Sequence, residues 1–227
     1  MLYVIATPIG NLKDITLRAL EALQEVDFIL CEDTRVTKNL LNHYEIQDKK
    51  LISFHQHTDE RKLAGLVELV KNNKVALVTD AGTPGINDPG GMLIKTLKHE
   101  SIKTNQEIMV VPIPGACAAI AVLSASGFPT DEFLFKGFVP HKKGRQTFLK
   151  EVLNEKRTVV FYESCHRIIK CLEELKKFSE ELVAEKELVV GRELTKKFET
   201  IYRGSIGEVL EKVKADPVKG EYVVVVH

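Results

Sequence analysis

"VALVTDAGTPGINDPGG", Val75 to Gly91, runs from an unbroken apolar segment straight into four glycines, two prolines and two aspartates. A short apolar run stopped by turn formers reads as a strand buried on both faces. A change of direction needs only about two such residues, so this loop is built for more than a corner. In an open α/β sheet, ligands gather outside the carboxyl ends of the strands. The stretch therefore predicts a parallel sheet and a site at its edge.

The flanking sequence extends that pattern. Strand candidates at Tyr3 to Ala6, Phe28 to Cys31, Leu51 to Phe54, Val75 to Thr79 and Ile108 to Val111 alternate with amphipathic segments. One helix carries Leu17, Leu20 and Leu23 behind Asp14 as its cap, and another carries Leu63, Leu66, Val67 and Val70 after Asp59, a one-face spacing. Such alternation predicts a mainly parallel sheet with helices on both sides. The pattern breaks at Pro112-Ile113-Pro114-Gly115, where a small-residue helix, Ala116 to Ser126, follows. Beyond it, strands are expected at Glu132 to Phe138, Thr158 to Tyr162, Leu188 to Val190, Phe198 to Tyr202 and Tyr222 to Val226. Helices are expected near Gly144 to Leu153, His166 to Phe178 and Ser205 to Val213. Short connections, or only one helix, among the last three strands predict antiparallel pairing there. The reading is α/β with two lobes, 1–114 and 115–227, the first sheet mainly parallel and the second mixed.

Lys plus Arg and Asp plus Glu both number 32, so the net charge of the 227 residues is zero. That argues against non-specific coating of nucleic acid or acidic membrane. No apolar run reaches the ~18 residues of a membrane span, and the amino terminus enters a strand-like run without the features of a signal peptide. A cytoplasmic protein is expected. The four cysteines, Cys31, Cys117, Cys165 and Cys171, form no CxxC pair and read as reduced thiols. His55-Gln56-His57 sets two imidazoles on one strand face, but no further ligand falls at a metal-site spacing, so no metal is expected.

Five loops at one sheet edge are rich in polar, glycine or proline residues: "ATPIGNL", "CEDTR", "SFHQH", the opening loop and "VPIPGACAA". None contains G-x-G-x-x-G, and no Lys-Ser or Lys-Thr follows the last glycine of "GINDPGG", so neither a dinucleotide fingerprint nor a P-loop is present. Rigid glycine and proline backbone still suits a compact ligand. "CEDTR" admits two readings. Asp33 or Thr34 caps a helix with Arg35 in solvent, or Glu32 and Asp33 form a carboxylate site held by Arg35, able to position or deprotonate a hydroxyl. "FYESCHR", Phe161 to Arg167, gathers Tyr162, Glu163, His166 and Arg167, with Ser164 as a helix cap. "PHKKGRQ" and "GRELTKKF" are basic stretches that read either as solvated surface or as phosphate contacts for a nucleic-acid strand.

Taken in order, "YVIATPIGNLKDITLRALEAL", "CEDTR", "LISFHQH", "VTDAGTPGINDPG", "VPIPGACAAIAVLSASGFPTDEFLFKGFVP", "VVFYESCHR", "GRELTKKFE" and "KGEYVVVV" resemble the ribosomal RNA small subunit methyltransferase I family of the tetrapyrrole methylase superfamily. The resemblance implies a two-lobed tetrapyrrole methylase-like fold, S-adenosylmethionine (SAM) in a cleft between the lobes, and a homodimer. It implies methyl transfer to the ribose 2′-hydroxyl of a cytidine in the decoding region of 16S rRNA within the small ribosomal subunit. It points to Pro8, Asp80, Ala81, Gly82, Thr83, Ile86, Cys117, Ala118, Tyr162 and Leu194 for the cofactor. Glu32, Asp33 and His55 are the strand-end groups able to accept the hydroxyl proton; Glu32 or Asp33 is expected to do so, with Arg35 orienting the carboxylate or the RNA phosphate. Lys142, Lys143, Arg145, Arg192 and Lys196 are the candidates for RNA phosphates. Asp88 is expected to cap the helix after the opening loop.

Two departures from the family pattern stand out. Pro114-Gly115-Ala116-Cys117 replaces Pro-Gly-Pro-Ser, and Glu163-Ser164-Cys165-His166 replaces Glu-Ser-Pro-His. A thiol is a weaker hydrogen-bonding group than a hydroxyl. Many members also continue into a short helical C-terminal extension beyond the position of His227. The rival readings keep the fold but change the acceptor to a tetrapyrrole or, as in diphthine synthase, a protein side chain, or make the chain a non-catalytic SAM-binding protein.

Overall fold

The computed structural model describes residues 1–55 and 58–227. The chain divides into two compact units, Met1–Cys117 and Ala118–His227. In the first unit, β1 (Leu2–Ile5), β2 (Phe28–Cys31), β3 (Lys50–Ser53), β4 (Val75–Leu77) and β5 (Val110–Ile113) form a sheet of order β3-β2-β4-β1-β5. Every pairing in it is parallel. Alternate strand residues point to opposite faces, and the core divides accordingly. Leu30, Val75 and Leu77 join Leu63, Leu66 and Val67 of α3 (Glu60–Asn72) and Leu93 and Leu97 of α4 (Gly91–Thr104). Ile29, Cys31 and Ala76 join Ala19, Ala22 and Leu23 of α1 (Leu17–Glu25) and Leu41 of α2 (Thr34–His43). The sheet is thus covered on both faces, as its apolar strands require.

The second unit has order β6-β7-β10-β8-β9, with β6 (Phe133–Phe138), β7 (Thr158–Ser164), β8 (Glu187–Arg192), β9 (Thr200–Ser205) and β10 (Glu221–Val226). Only β6 and β7 pair in parallel; the remaining pairings are antiparallel. Val159, Phe161, Leu188, Val190, Val224 and Val226 pack with α6 (Arg145–Asn154), α7 (Ile168–Leu182) and α8 (Ile206–Ala215). The opposite face meets α5 (Ala118–Ser124).

Several local expectations are corrected. β5 begins two residues later than expected and takes in Pro112, which pairs with Val4; β5 is an edge strand, where a residue without an N–H is tolerated. Thr16, not Asp14, caps α1, accepting the Ala19 N–H at 3.1 Å, while Asp14 closes a short 3-10 turn, Leu12–Asp14. α4 starts after Gly90 with no side-chain cap, so Asp88 is not its cap. Ser164 ends β7, and Arg167 occupies the N-cap position of α7.

Candidate active site at the carboxyl edge of the first sheet

The order of the first sheet puts β4 between β1 and β2, so the loops behind them are neighbours. Hydrogen bonds stitch them together. Thr7 and Gly82 exchange backbone bonds, Thr7 N–H to Gly82 at 2.9 Å and Gly82 N–H to Thr7 at 3.0 Å. The Thr7 hydroxyl also donates to the Thr79 carbonyl at 3.1 Å. Gly82 holds φ +84°, a left-handed conformation that disfavours a side chain. Thr83 Oγ1 donates to the Ala116 carbonyl at 3.0 Å, tying in the loop behind β5. A Cβ on Gly115 would lie 2.9 Å from that of Ala6, so this crossing requires glycine. Asp33 N–H donates to Asp80 Oδ1 at 2.9 Å, which joins the loop behind β2 to that behind β4.

In "CEDTR" the helix cap and the carboxylate–arginine pair share one residue, Asp33. Asp33 is the N-cap of α2 and accepts the Arg35 N–H at 2.8 Å. Its carboxylate is also forked by the Arg35 guanidinium, at 3.0 Å from Nε and 2.5 Å from Nη2. The Arg35 side-chain bond, reinforced by the backbone bond, holds the Asp33 carboxyl down at about 2. Glu32 behaves oppositely: half-buried, it is pushed above the usual carboxylate range by burial and then by the Asp80 charge, with His55 opposing. Asp88, expected as a cap, instead lies among these carboxylates and is pushed up to about 6 by burial and then by the charges of Glu32 and Asp80. Its native pKa exceeds its ordinary value, so the folded state binds more protons between about pH 4 and 6, and stability falls as pH rises through that window. Asp88→Asn should therefore stabilise the protein more at pH 7.5 than at pH 4.5, as read by denaturation midpoints at the two pH values.

Ser53 Oγ and His55 Nε2 lie 2.6 Å apart at the end of β3. Sequence reasoning noted His55 but not this pairing, although an i, i+2 spacing on a strand signals it. Gln56 and His57, half of the expected imidazole pair, lie outside the described residues. Among the described residues, no cluster of three His, Cys, Asp or Glu side chains is placed to hold a metal ion.

Of the cofactor candidates in the first unit, Pro8 is buried behind β1, while Asp80, Ala81 and Ile86 are exposed beyond β4 and Thr83 is partly so. Cys117 is the last residue of that unit. In the second unit, Ala118 opens α5, Tyr162 lies on β7 against the rings of Phe135 and Phe138, at 5.1 and 5.4 Å, and Leu194 is buried behind β8.

The structure separates the five phosphate candidates. Lys142 and Lys143 are exposed, and no ion pair involves them among the described residues. Lys196 is paired to Glu193 and Glu221, each at 2.9 Å. Arg145 and Arg192 are buried, and for both the expected phosphate contact is corrected. Arg145 pairs with Glu163 at 3.1 Å and Glu174 at 2.6 Å, and Arg192 Nε donates to the Lys219 carbonyl at 3.1 Å. Glu163, with its side chain fully buried, also pairs with Arg167 at 2.7 Å. Arg145 and Arg167 in turn donate to the Pro140 and Val139 carbonyls. The polar residues of "FYESCHR" thus hold the start of the basic loop in place.

The family described as Tetrapyrrole (Corrin/Porphyrin) Methylases matches residues 1–210. Ribosomal RNA small subunit methyltransferase I of Escherichia coli is 47% identical over 229 residues, covering 99% of this chain and 77% of that protein. The crystal structure of a cobalamin biosynthetic enzyme, cobalt precorrin-4 methyltransferase, superposes with a TM-score of 0.71 at 17% identity, covering 99% of this chain and 93% of that one. Diphthine synthase superposes at 0.70 with 18% identity, covering 99% and 88%. At such identities the two structures share the fold.

Proposed function

Because the chain belongs to the ribosomal RNA small subunit methyltransferase I family of tetrapyrrole methylases, we propose that it methylates the ribose 2′-hydroxyl of a cytidine in the decoding region of 16S rRNA, with the small ribosomal subunit as substrate and SAM as donor. The observation that carries the reading is the stitched carboxyl edge of the first sheet. There, rigid small-residue backbone from Asp80 to Ile86 stands beside a half-buried glutamate.

SAM fits the chemistry of this edge: Ala81, Gly82 and Thr83 present backbone without bulky side chains, and exposed Ile86 offers an apolar contact. Pro8, Asp80 and Cys117 complete the first unit's candidates, and Ala118, Tyr162 and Leu194 are those of the second. When bound, SAM supplies a methyl carbon activated by its sulfonium. The protein's part is to align the hydroxyl and take up its proton. Asp33 is a poor acceptor, since its carboxylate is committed to Arg35 and to the α2 cap. Glu32 is the better one: its affinity for a proton is raised, and general bases of this kind contribute about 10²–10⁴-fold. Arg35, with its guanidinium largely exposed, holds Asp33 and is available to an RNA phosphate. Lys142 and Lys143 are the phosphate contacts retained, with Lys196 after exchange of its partners. A homodimer acting in the cytoplasm completes the reading and rests on the family alone.

Incubation of the protein with methyl-labelled SAM and small ribosomal subunits tests it. Label should enter 16S rRNA and neither protein nor added tetrapyrrole. Label in a tetrapyrrole or a protein side chain moves the chain to another branch of the fold, and binding of SAM without transfer makes it non-catalytic.

A further inference from the structure

The bond between Asp33 N–H and Asp80 Oδ1, at 2.9 Å, joins the loop behind β2 to the facing loop behind β4 across 47 positions of the chain. The strands underneath continue the register: Val78 N–H donates to the Leu30 carbonyl at 2.9 Å. Asp80 is the first residue past this paired region whose side chain takes part. Backbone pairing below and a side-chain bond above hold the loop at two points, and the residue so held, Asp33, directly follows Glu32.

We propose that Asp80 is a positioning residue, which braces the loop behind β2 so that the Glu32 carboxylate faces the site while Asp33 turns back to cap α2 and hold Arg35. The proposal rests on the methyltransferase reading for its catalytic consequence, though not for the brace itself. It also revises what the family resemblance implies for Asp80. With Oδ1 of its carboxylate engaged by Asp33 N–H, a cofactor contact through that oxygen competes with the brace. Charge has a second effect. Glu32 faces Asp80 and Asp88 from the loop behind β4 and His55 from the loop behind β3, with Asp33 and Arg35 on its own segment. The anionic Asp80 raises the proton affinity of Glu32; an uncharged acceptor in its place would keep the brace and drop this contribution.

Two variants separate brace from charge. Asp80→Asn keeps a side-chain oxygen for Asp33 N–H. Asp80→Ala removes the oxygen. Amide hydrogen exchange over residues 32–35, measured by mass spectrometry on the whole chain, should accelerate about tenfold or more in Asp80→Ala, as expected for loss of a bond to a charged acceptor. Exchange in Asp80→Asn should remain within about threefold of the parent. In methyl transfer to small ribosomal subunits, Asp80→Ala should lose about 10²-fold in kcat, the scale of a misplaced reacting group, with the Kd for SAM changed less than about threefold. Asp80→Asn should keep most of kcat but shift the acid limb of the pH–rate profile to lower pH, because Glu32 then releases its proton more readily.

Unchanged exchange in Asp80→Ala overturns the brace. A Kd for SAM that weakens in step with kcat overturns the positioning role in favour of direct cofactor contact. Equal kinetic losses in both variants, with no movement of the acid limb in Asp80→Asn, overturn the assignment to Glu32. If the parent protein transfers no methyl group to subunits, the methyltransferase reading fails, and the exchange comparison still decides the brace.

Discussion

Glu163→Ala is expected to destabilise the protein by about 3–5 kcal/mol, the cost of removing one partner from a buried ion pair. The Glu163 side chain is fully buried and faces Arg145 at 3.1 Å and Arg167 at 2.7 Å, and its Oε1 accepts the Ser164 N–H at 2.8 Å. Arg145 is itself buried. Without Glu163 it keeps Glu174 at 2.6 Å but loses its most deeply buried counter-charge. For a chain of this size each kcal/mol corresponds to about 2–4 °C, so thermal unfolding followed by circular dichroism should shift down by about 6–20 °C. Glu163→Gln, which retains an acceptor oxygen, should lose less. A shift within experimental error for the alanine variant would mean that the network contributes nothing net to folding.

Glu32→Gln is expected to lower kcat by about 10²–10⁴-fold and to leave SAM binding intact. That loss is about 2.7–5.4 kcal/mol of transition-state stabilisation at 1.36 kcal/mol per decade. Gln is close to Glu in size, so the loop geometry survives and only the capacity to take up a proton is removed. Asp33→Asn offers the contrast. It weakens the Arg35 fork and the α2 cap, and its effect on kcat should be smaller than that of Glu32→Gln. Steady-state kinetics with subunits as the varied substrate checks both; the reverse order would make Asp33 the proton acceptor.

The architecture was legible because it rests on short-range pattern. Apolar runs such as Val75 to Val78, alternating with one-face helices, dictate a covered parallel sheet. The short connection from β8 to β9 and the single helix between β9 and β10 point to antiparallel pairing, which β8 makes with both strands, and the first sheet is parallel throughout. Helix starts were less legible, because several residues within a few positions can cap. Thr16 and Asp14 compete before α1, and what decides is that Thr16 reaches the Ala19 N–H while Asp14 is spent in the preceding turn. The basic stretches misled for a different reason. Arg145 sits in the most basic loop of the sequence, yet its partners Glu163 and Glu174 lie 18 and 29 residues further along, and nothing local in "PHKKGRQ" signals them. Lys142 and Lys143, three and two residues earlier, remain exposed. The loops behind β1, β2 and β4 meet through contacts of the same long range, Thr7 with Gly82 and Asp33 with Asp80. Sequence could name these loops; only the strand order brings them together.

The central claim is that the methyl group goes to a ribose oxygen of the small-subunit RNA. It is tested most directly by identifying the labelled nucleoside. After transfer from labelled SAM to small ribosomal subunits, the 16S rRNA is digested to nucleosides and resolved by mass spectrometry, with a parallel aliquot hydrolysed in alkali. A 2′-O-methyl ribose cannot assist cleavage of its own phosphodiester, so the account predicts label in 2′-O-methylcytidine and in an alkali-resistant dinucleotide. Label on a cytosine base, in mononucleotides after alkali, or outside the RNA would contradict it.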